Sequence, residues 1–523
     1  MNFGFIIDNR KCIGCHACTV ACKSEHQVPV GVNRTWVKYI EKGEFPDTRR
    51  LFSVMRCNHC ADAPCVEICP VTSLYKRDDG IVDFDSRRCI GCKACTQACP
   101  YDAIFMDPAE HTSAKCNYCT HRVDIGLEPA CVVVCPEHAI ISGDMDNPNT
   151  EISKLLARET VSVRKEEKGT NPKLFYIDGD RVSLNPTAAT VDTDYMWSSQ
   201  ATGVGHFAKY AEQRIAQSPA VAEEFKKQSF VQIEGRSKKA RKVYDAPNKG
   251  ILWGWEVSAY VLTKAISAGA FFIPVLLGYF MEIPFEVKQF GTIVSLVFLA
   301  ITGVLLIMDL GRPDRFLNVL LRPQWKSWLT RGSYIITAYG GILTAYFIAS
   351  YFGWETLQKI IAPTGLILSM LTAVYTAFLF AQAKGRDFWQ SPMLGLHMIL
   401  HSLMAGFAVY LIASAFMSVN IGFKMVLTFL TIATLVIHLI TLAIELTTTH
   451  STEDAHQTVK MILSGEFSRK FWFGMIFVGN IVPIGLILGG MPLTSILAGI
   501  SILVGLWFAE DIWVKAPQRI PLS

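Results

Sequence analysis

Sixteen cysteines, all between Cys12 and Cys135, constrain this 523-residue chain more than any other feature. They fall into four quartets with none left over. Cys12, Cys15, Cys18 and Cys22 form C-x2-C-x2-C-x3-C, and Cys89, Cys92, Cys95 and Cys99 repeat that spacing. Cys57, Cys60, Cys65 and Cys69 form C-x2-C-x4-C-x3-C, and Cys116, Cys119, Cys131 and Cys135 form C-x2-C-x11-C-x3-C. A cubane [4Fe–4S] cluster needs four thiolates converging from several directions. A tight C-x2-C-x2-C loop supplies three of them, and the fourth cysteine of such a run commonly serves the other cluster of a pair, with a proline after it. Pro70, Pro100 and Pro136 follow Cys69, Cys99 and Cys135, whereas Lys23 follows Cys22. All sixteen thiols are therefore expected to ligate four cubane clusters.

Other readings of the cysteines fare worse. A disulfide framework suits a small secreted domain, but MNFGFIIDNRK ahead of Cys12 has no apolar core and no twin arginine of an export signal. Structural zinc sites use pairs of C-x2-C rather than triple runs ending in Cys-Pro. Cys12-Ile-Gly-Cys15-His16 matches the c-type haem attachment pattern, yet Cys18 and Cys22 complete an iron–sulfur run, and the equivalent run has Lys93 in place of the histidine.

The rest of the sequence is apolar. Of all residues, 51% are hydrophobic and 18% charged, against ~25% charged in soluble domains, which excludes a disordered chain and an ordinary soluble enzyme. The net charge of +4 gives no reason to expect nucleic acid. Eight stretches are long enough to cross a bilayer, which takes about 20 apolar residues: Val257–Met281, Phe290–Met308, Tyr334–Phe352, Ile360–Ala381, Met393–Met417, Val419–Leu442, Phe471–Leu488 and Leu493–Ile512. Continuous apolar runs and the lack of water in lipid exclude strands. An even number of spans puts the cysteine head and the C-terminus on one side. That side carries eighteen Lys and Arg between Arg236 and Arg519, against Lys288, Lys359 and Lys424 on the other. The positive-inside rule then places the head in the cytoplasm.

The fold expected is an α+β ferredoxin-like head with two pairs of [4Fe–4S] clusters, followed by an all-α membrane bundle of eight transmembrane helices. Residues 1–190 form the head, 191–250 a connector and 251–523 the bundle. Within the connector, Val204–Ile215 has helical periodicity. The basic run Arg236, Lys238, Lys239, Arg241 and Lys242 is expected to lie on anionic headgroups.

An ionisable side chain inside a span costs roughly 2.5–3.5 kcal/mol and marks a functional candidate. Glu256, Tyr260 and Lys264 recur every four residues and share one helix face. Asp309 ends the second span close to Arg312. His397 and His401 share a face, with His438 on the next helix, an arrangement that raises the question of haem b. Glu445 and Glu510-Asp511 fall at helix ends and read as interfacial, and Asn480 and Pro483 as a packing contact and a kink.

Two resemblances organise these features. The quartets, with a wide second and a wide fourth motif, resemble the four-cluster electron-transfer subunit of the dimethyl sulfoxide and polysulfide reductase families. Gly169-Thr-Asn-Pro-Lys-Leu-Phe-Tyr-Ile177 is similar to the strand after the fourth motif there. The resemblance implies ligand exchange between motifs one and four and between two and three. The clusters would be Cys12/Cys15/Cys18/Cys135, Cys22/Cys116/Cys119/Cys131, Cys57/Cys60/Cys65/Cys99 and Cys69/Cys89/Cys92/Cys95. Residues 250–515 resemble the NrfD-like membrane subunit of polysulfide reductases through Trp253-Gly-Trp-Glu-Val-Ser-Ala-Tyr260, Ile266-Ser-Ala-Gly269, Asp309-Leu-Gly-Arg-Pro-Asp-Arg-Phe316 and Tyr375-Thr376. In that family the two subunits are normally separate chains; here they are fused.

The resemblance implies a pocket for menaquinone or ubiquinone where the bundle meets the head, with Glu256, Tyr260, Lys264, Asp309, Arg312, Tyr375, His397 and His401 as candidates. It argues against haem. It also implies a large catalytic partner, a molybdenum or tungsten bis-pterin enzyme, on the cytoplasmic membrane of a bacterium or archaeon. Electrons would pass between that partner and the quinone pool. The sequence itself carries no residues for substrate chemistry. Rival readings are a quinone-coupled proton path through Glu256, Lys264, Asp309, His397 and His401, a passive anchor, and service to a hydrogenase or cytochrome complex.

Overall fold

A computed structural model describes residues 1–44, 46–191, 237–246, 249–417, 420–450 and 452–523. The Val204–Ile215 segment, Arg236 and Val419 lie outside the described residues.

Two sheets frame the head. In one, strand Phe3–Asp8 lies between Ile140–Asp144, antiparallel to it, and Leu174–Ile177, parallel to it, with Val161–Ser162 at the edge. Phe5, Ile6 and Ile7 are fully buried there. In the other, the hairpin Thr35–Glu44/Asp47–Arg56 is joined by strand Ser237–Tyr244, antiparallel to the first arm. This strand contains most of the basic run expected at headgroups. Arg241 bonds Glu41, and Lys242 lies 2.9 Å from Asp245, so these two charges serve the head rather than lipid.

The cysteine runs alternate with short helices, and the repeated spacing folds the same way twice. In Cys12-Ile-Gly-Cys-His16 and Cys89-Ile-Gly-Cys-Lys93, the glycines have φ of 71° and 71°, and His16 and Lys93 have φ of 62° and 60°. Gly14 and Gly91 supply the left-handed turn that glycine adopts without a Cβ penalty. The backbone then enters the helices Ala17–His26 and Ala94–Ala98.

Among the described residues, eight helices are long and apolar enough to cross a membrane. They are α1 Trp255–Leu277, α2 Phe285–Met308, α3 Trp328–Tyr351, α4 Glu355–Gln382, α5 Leu394–Ala413, α6 Ile421–Thr447, α7 Lys470–Leu488 and α8 Pro492–Lys515. Helix α1 is central and packs on α2, α4, α5 and α8. Small and hydroxyl residues line the helix contacts, as expected where lipid supplies no hydrophobic drive between helices. On α2, for example, Gly291, Thr292, Ser295 and Thr302 face inward while Ile293, Val297 and Val304 face outward. Gly269, in the Ile266–Gly269 motif, lets α1 touch Gly406 on α5, where a Cβ would overlap that backbone. Helix α7 runs as a wide π-helix over Lys470–Ile481 before tightening at Val482, next to Pro483.

Head and bundle share one continuous core, in which Ile90, Cys95 and Cys99 of the head pack with Trp253, Phe380, Trp389 and Trp513 of the bundle. Polar contacts fix the seam. Gly311 and Arg312 donate backbone N–H bonds to Gly91 O and Ile90 O, both at 3.1 Å. Arg315 donates to Ser86 O and Cys89 O, Ser327 to Ile68 O, and Arg386 to Gln97 Oε1.

Candidate functional site

The sixteen thiols gather in four groups. One small cavity is lined by Cys12, Cys15, Cys18 and Cys135, and another by Cys57, Cys60, Cys65 and Cys99. Cys22 has Cys116, Cys119 and Cys131 as electrostatic neighbours, and Cys95 has Cys69, Cys89 and Cys92. Each group thus draws on two motifs. Burial pushes buried thiols such as Cys18 and Cys119 up to about 12, and a thiol so placed stays protonated unless a metal replaces the proton. Backbone N–H groups point at several sulfurs: Ala139 N lies 3.2 Å from Cys135 Sγ, and Gly91 N and Ser113 N each 3.4 Å from Cys89 Sγ. Four soft donors, most of them buried, with N–H groups around them suit an iron–sulfur cluster.

Two nitrogen-bearing neighbours of these groups, a cationic arginine and a histidine that burial pushes down to about 4, went unread in the sequence. Arg56 is fully buried, donates from Nη1 to Cys131 Sγ at 3.1 Å and lies 4.4 Å over the Phe5 ring. Burial disfavours its charge, but the Cys131, Cys116 and Cys18 thiolates outweigh burial and hold its pKa above the ordinary value. His26 Nε2 lies 3.1 Å from Cys119 Sγ. No periodicity or spacing marks either residue.

Beneath the Cys89–Cys92 loop lies a cavity of about 220 Å³ between the head and the helix ends. Tyr260, Asp309 and Tyr375 line it, together with Cys92, Trp253 and Phe316, and Ser333 and Thr337 of α3. Trp253 donates from Nε1 to Cys92 O at 3.1 Å and bridges cysteine loop and cavity. Gly332 leaves room for the Tyr375 ring, which a Cβ there would strike. Lys264 is buried behind Tyr375. Its Nζ donates to Ala373 O at 3.0 Å and Thr376 Oγ1 at 2.5 Å, and sits 4.7 Å from the Tyr375 ring centre.

Asp309 pairs with the head, not with Arg312: Lys93 Nζ lies 2.9 Å from its Oδ1. Burial pushes its carboxyl up to about 6 against the pull of Lys93, with Glu256 adding to the rise. Arg312 is turned to Asp314, 3.0 Å away, and neither Arg312 nor Glu256 lines the cavity.

His397 and His401 lie elsewhere, in a second buried polar group with His438, Glu445, Glu510 and Asn480. The eight candidates thus separate into a cavity trio, a lysine behind it, two flanking charges and two histidines of another cluster. Glu445 and Glu510 are 4% and 1% exposed, so both face the bundle interior rather than the interface. Asn480 bonds His438 instead of serving as a simple packing contact.

Comparison with known proteins agrees with this two-part organisation. Residues 245–510 match the family described as polysulphide reductase, NrfD. Residues 11–75 and 48–145 each match a 4Fe-4S dicluster domain. A tetrathionate reductase subunit of Salmonella typhimurium is 42% identical over 188 residues, covering 35% of this sequence and 75% of that protein. A polysulfide reductase component of Wolinella succinogenes is 42% identical over 184 residues, covering 34% of this sequence and 95% of its own length. The arsenate respiratory reductase iron-sulfur subunit of a Shewanella strain is 33% identical over 227 residues, covering 34% and 96%. An iron–sulfur electron-transfer unit and an NrfD-type membrane unit, found in reductase complexes, are joined here in one integral membrane protein.

Proposed function

The protein belongs to the polysulphide reductase NrfD family, and from that premise we propose that it carries electrons between a separate catalytic subunit and membrane quinone, which binds in the cavity beneath Cys92. The observation that carries this reading is the cavity itself. It sets two tyrosines and a carboxylate against an apolar wall, with a cysteine of the third motif in the same wall. The four thiol groups hold four [4Fe–4S] clusters with the ligand sets Cys12/Cys15/Cys18/Cys135, Cys22/Cys116/Cys119/Cys131, Cys57/Cys60/Cys65/Cys99 and Cys69/Cys89/Cys92/Cys95. Each cluster, when bound, accepts and returns one electron.

Oxidising a quinol releases two electrons and two protons; reducing a quinone takes up the same. Tyr260 and Tyr375 line the cavity, and their hydroxyls would donate to a carbonyl oxygen. Lys264 fixes the Tyr375 ring from behind. Asp309 takes up or returns a proton, and its pairing with Lys93 ties that site to the cysteine loop. The apolar wall formed by Val257, Leu306, Ile336 and Leu379 excludes water from the ring.

At the far end of the head, Cys15 is exposed, as are Ile13, Val133 and Val134 near it. This apolar face is the docking surface for the catalytic subunit. The names of the relatives, reductases of tetrathionate, polysulfide and arsenate, support a reductase catalytic subunit as the partner, and the family resemblance makes that subunit a molybdenum or tungsten pterin enzyme. The charge asymmetry supports a head in the cytoplasm, testable by protease digestion of sealed vesicles of either orientation.

To test the quinone site, the full complex is given quinol without oxygen and cluster reduction is followed by visible absorption. Tyr260→Phe and Asp309→Asn should each slow reduction by about a hundredfold or more, at the low end of acid–base contributions, with iron content unchanged. Wild-type rates in both variants would move the site elsewhere.

A further inference from the structure

The second buried group, between α5, α6, α7 and α8, plays no part in the reading above. His401 Nδ1 lies 2.7 Å from Glu510 Oε1, and His438 Nδ1 lies 2.9 Å from Asn480 Oδ1. Asn480 donates its own Nδ2 to Met475 O at 2.7 Å, so its oxygen is the atom that faces His438. With Glu510 ionised and Asn480 presenting its oxygen, both rings carry their proton on Nδ1, which leaves each Nε2 with a bare lone pair in the neutral form. These two nitrogens point at each other across 3.2 Å. Such a pair repels unless a cation stands between them.

A single proton would serve that pair but not its neighbours. His397 Nε2 lies 2.8 Å from Glu445 Oε2, yet among the described residues neither ring nitrogen nor either carboxylate oxygen of this pair makes a hydrogen bond. All are buried, and buried polar groups left so call for a ligand. One ligand atom each from His397, His401 and His438 lies within 4.8 Å of the others. Two nitrogens on a tetrahedral zinc at ~2.0–2.1 Å stand ~3.3 Å apart, close to the spacing found. A dipositive ion would also balance the two carboxylates Glu445 and Glu510, whose burial in the membrane is otherwise costly.

We propose that His397, His401 and His438, with Glu445 as a fourth donor, bind one zinc ion inside the membrane bundle, with Glu510 and Asn480 orienting the rings. Imidazole and carboxylate donors without thiolate suit zinc. A tetrapyrrole does not fit, because axial histidines on haem iron stand on opposite faces of the ring plane, and here the two nitrogens meet directly.

The test uses the full complex purified from its membranes and dialysed against zinc chloride, then freed of loose metal. Elemental analysis should find about one zinc per protein molecule, and X-ray absorption should find nitrogen and oxygen donors at ~2.0–2.1 Å. Less than about a tenth of an equivalent overturns the proposal, as does a zinc bound only by sulfur at ~2.3 Å, which would sit in a cysteine group. His401→Gln should weaken zinc retention by about tenfold or more while iron stays constant; unchanged zinc would refute the assignment. Should that variant fail to accumulate, the wild-type absorption spectrum decides alone.

Discussion

Replacing Arg56 with methionine should lower the reduction potential of the clusters nearest to it without removing iron. The guanidinium is fully buried, 3.1 Å from Cys131 Sγ, with Cys18 and Cys116 as further thiolate neighbours. It therefore stands between the group of Cys22, Cys116, Cys119 and Cys131 and that of Cys12, Cys15, Cys18 and Cys135. An electron added to either cluster increases negative charge beside a fixed positive one, so the arginine favours the reduced form. At about 6 Å from a cluster centre and an effective dielectric of ~20, the attraction is about 3 kcal/mol, or roughly 120 mV for one electron. Methionine keeps the apolar volume against the Phe5 ring and removes the charge. Redox titration followed by electron paramagnetic resonance should find one or two clusters shifted downward by that order. The cluster held by Cys92 should not move. A shift below about 30 mV at every cluster, well under a tenfold change in equilibrium, would refute the electrostatic reasoning, as would a shift confined to the membrane end.

Gly91→Ala places a Cβ 2.7 Å from Gly311 Cα at a residue with φ of 71°. The left-handed backbone alone costs ~1–2 kcal/mol, so the head should loosen from the bundle and become more protease-sensitive, with wild-type sensitivity as the contrary result. Lys93→Met removes the cation that opposes burial at Asp309, so the carboxyl's pKa should rise further above about 6. On the proposed role of the ionised carboxylate as proton acceptor, quinol oxidation rises with pH through that value, and its rising limb should move to higher pH; an unmoved limb would sink the assignment. Gly505→Val drives a side chain into Gly479 on the facing helix. Overpacking of this kind costs ~1–3 kcal/mol, measurable as a lowered unfolding temperature of the purified complex.

The cysteine spacing and the eight apolar spans were legible because each depends on local sequence alone. Span ends moved by a few residues, as at Glu355, where the helix begins ahead of the Ile360 read from hydropathy. The grouping of polar residues was less legible. Glu256, Tyr260 and Lys264 do share a face of α1, but only Tyr260 reaches the cavity, because Lys264 is drawn behind Tyr375 by Ala373 O and Thr376. Asp309 and Arg312 are neighbours in sequence, yet the turn after α2 points one at Lys93 and the other at Asp314. His397 and His401 belong to a cluster completed from α6, α7 and α8, which no single helix reveals. Some positive charges counted toward orientation also proved structural: Arg315 and Arg386 bind head carbonyls or Gln97, and Lys249 binds Asp102.

Burial along the head orders the thiol groups. The third motif's helix Ala94–Ala98 is buried throughout and its loop carbonyls accept bonds from the bundle. The first motif instead leaves Cys15 and Ile13 exposed. Between these ends, Cys57 has Cys116 as an electrostatic neighbour, and Cys18 has Cys131, so these two links join three of the four groups in turn. The second and third motifs are held rigidly because they carry the seam: Ser327 and Thr330 bind Ile68 O and Pro70 O directly beside Cys69. A head detached from its bundle would expose that seam, including Ile90 and the fully buried residues around Cys95, to water. The fusion therefore does more than tether two units, since part of the head's core is supplied by Trp253, Phe380 and Trp389 of the membrane half.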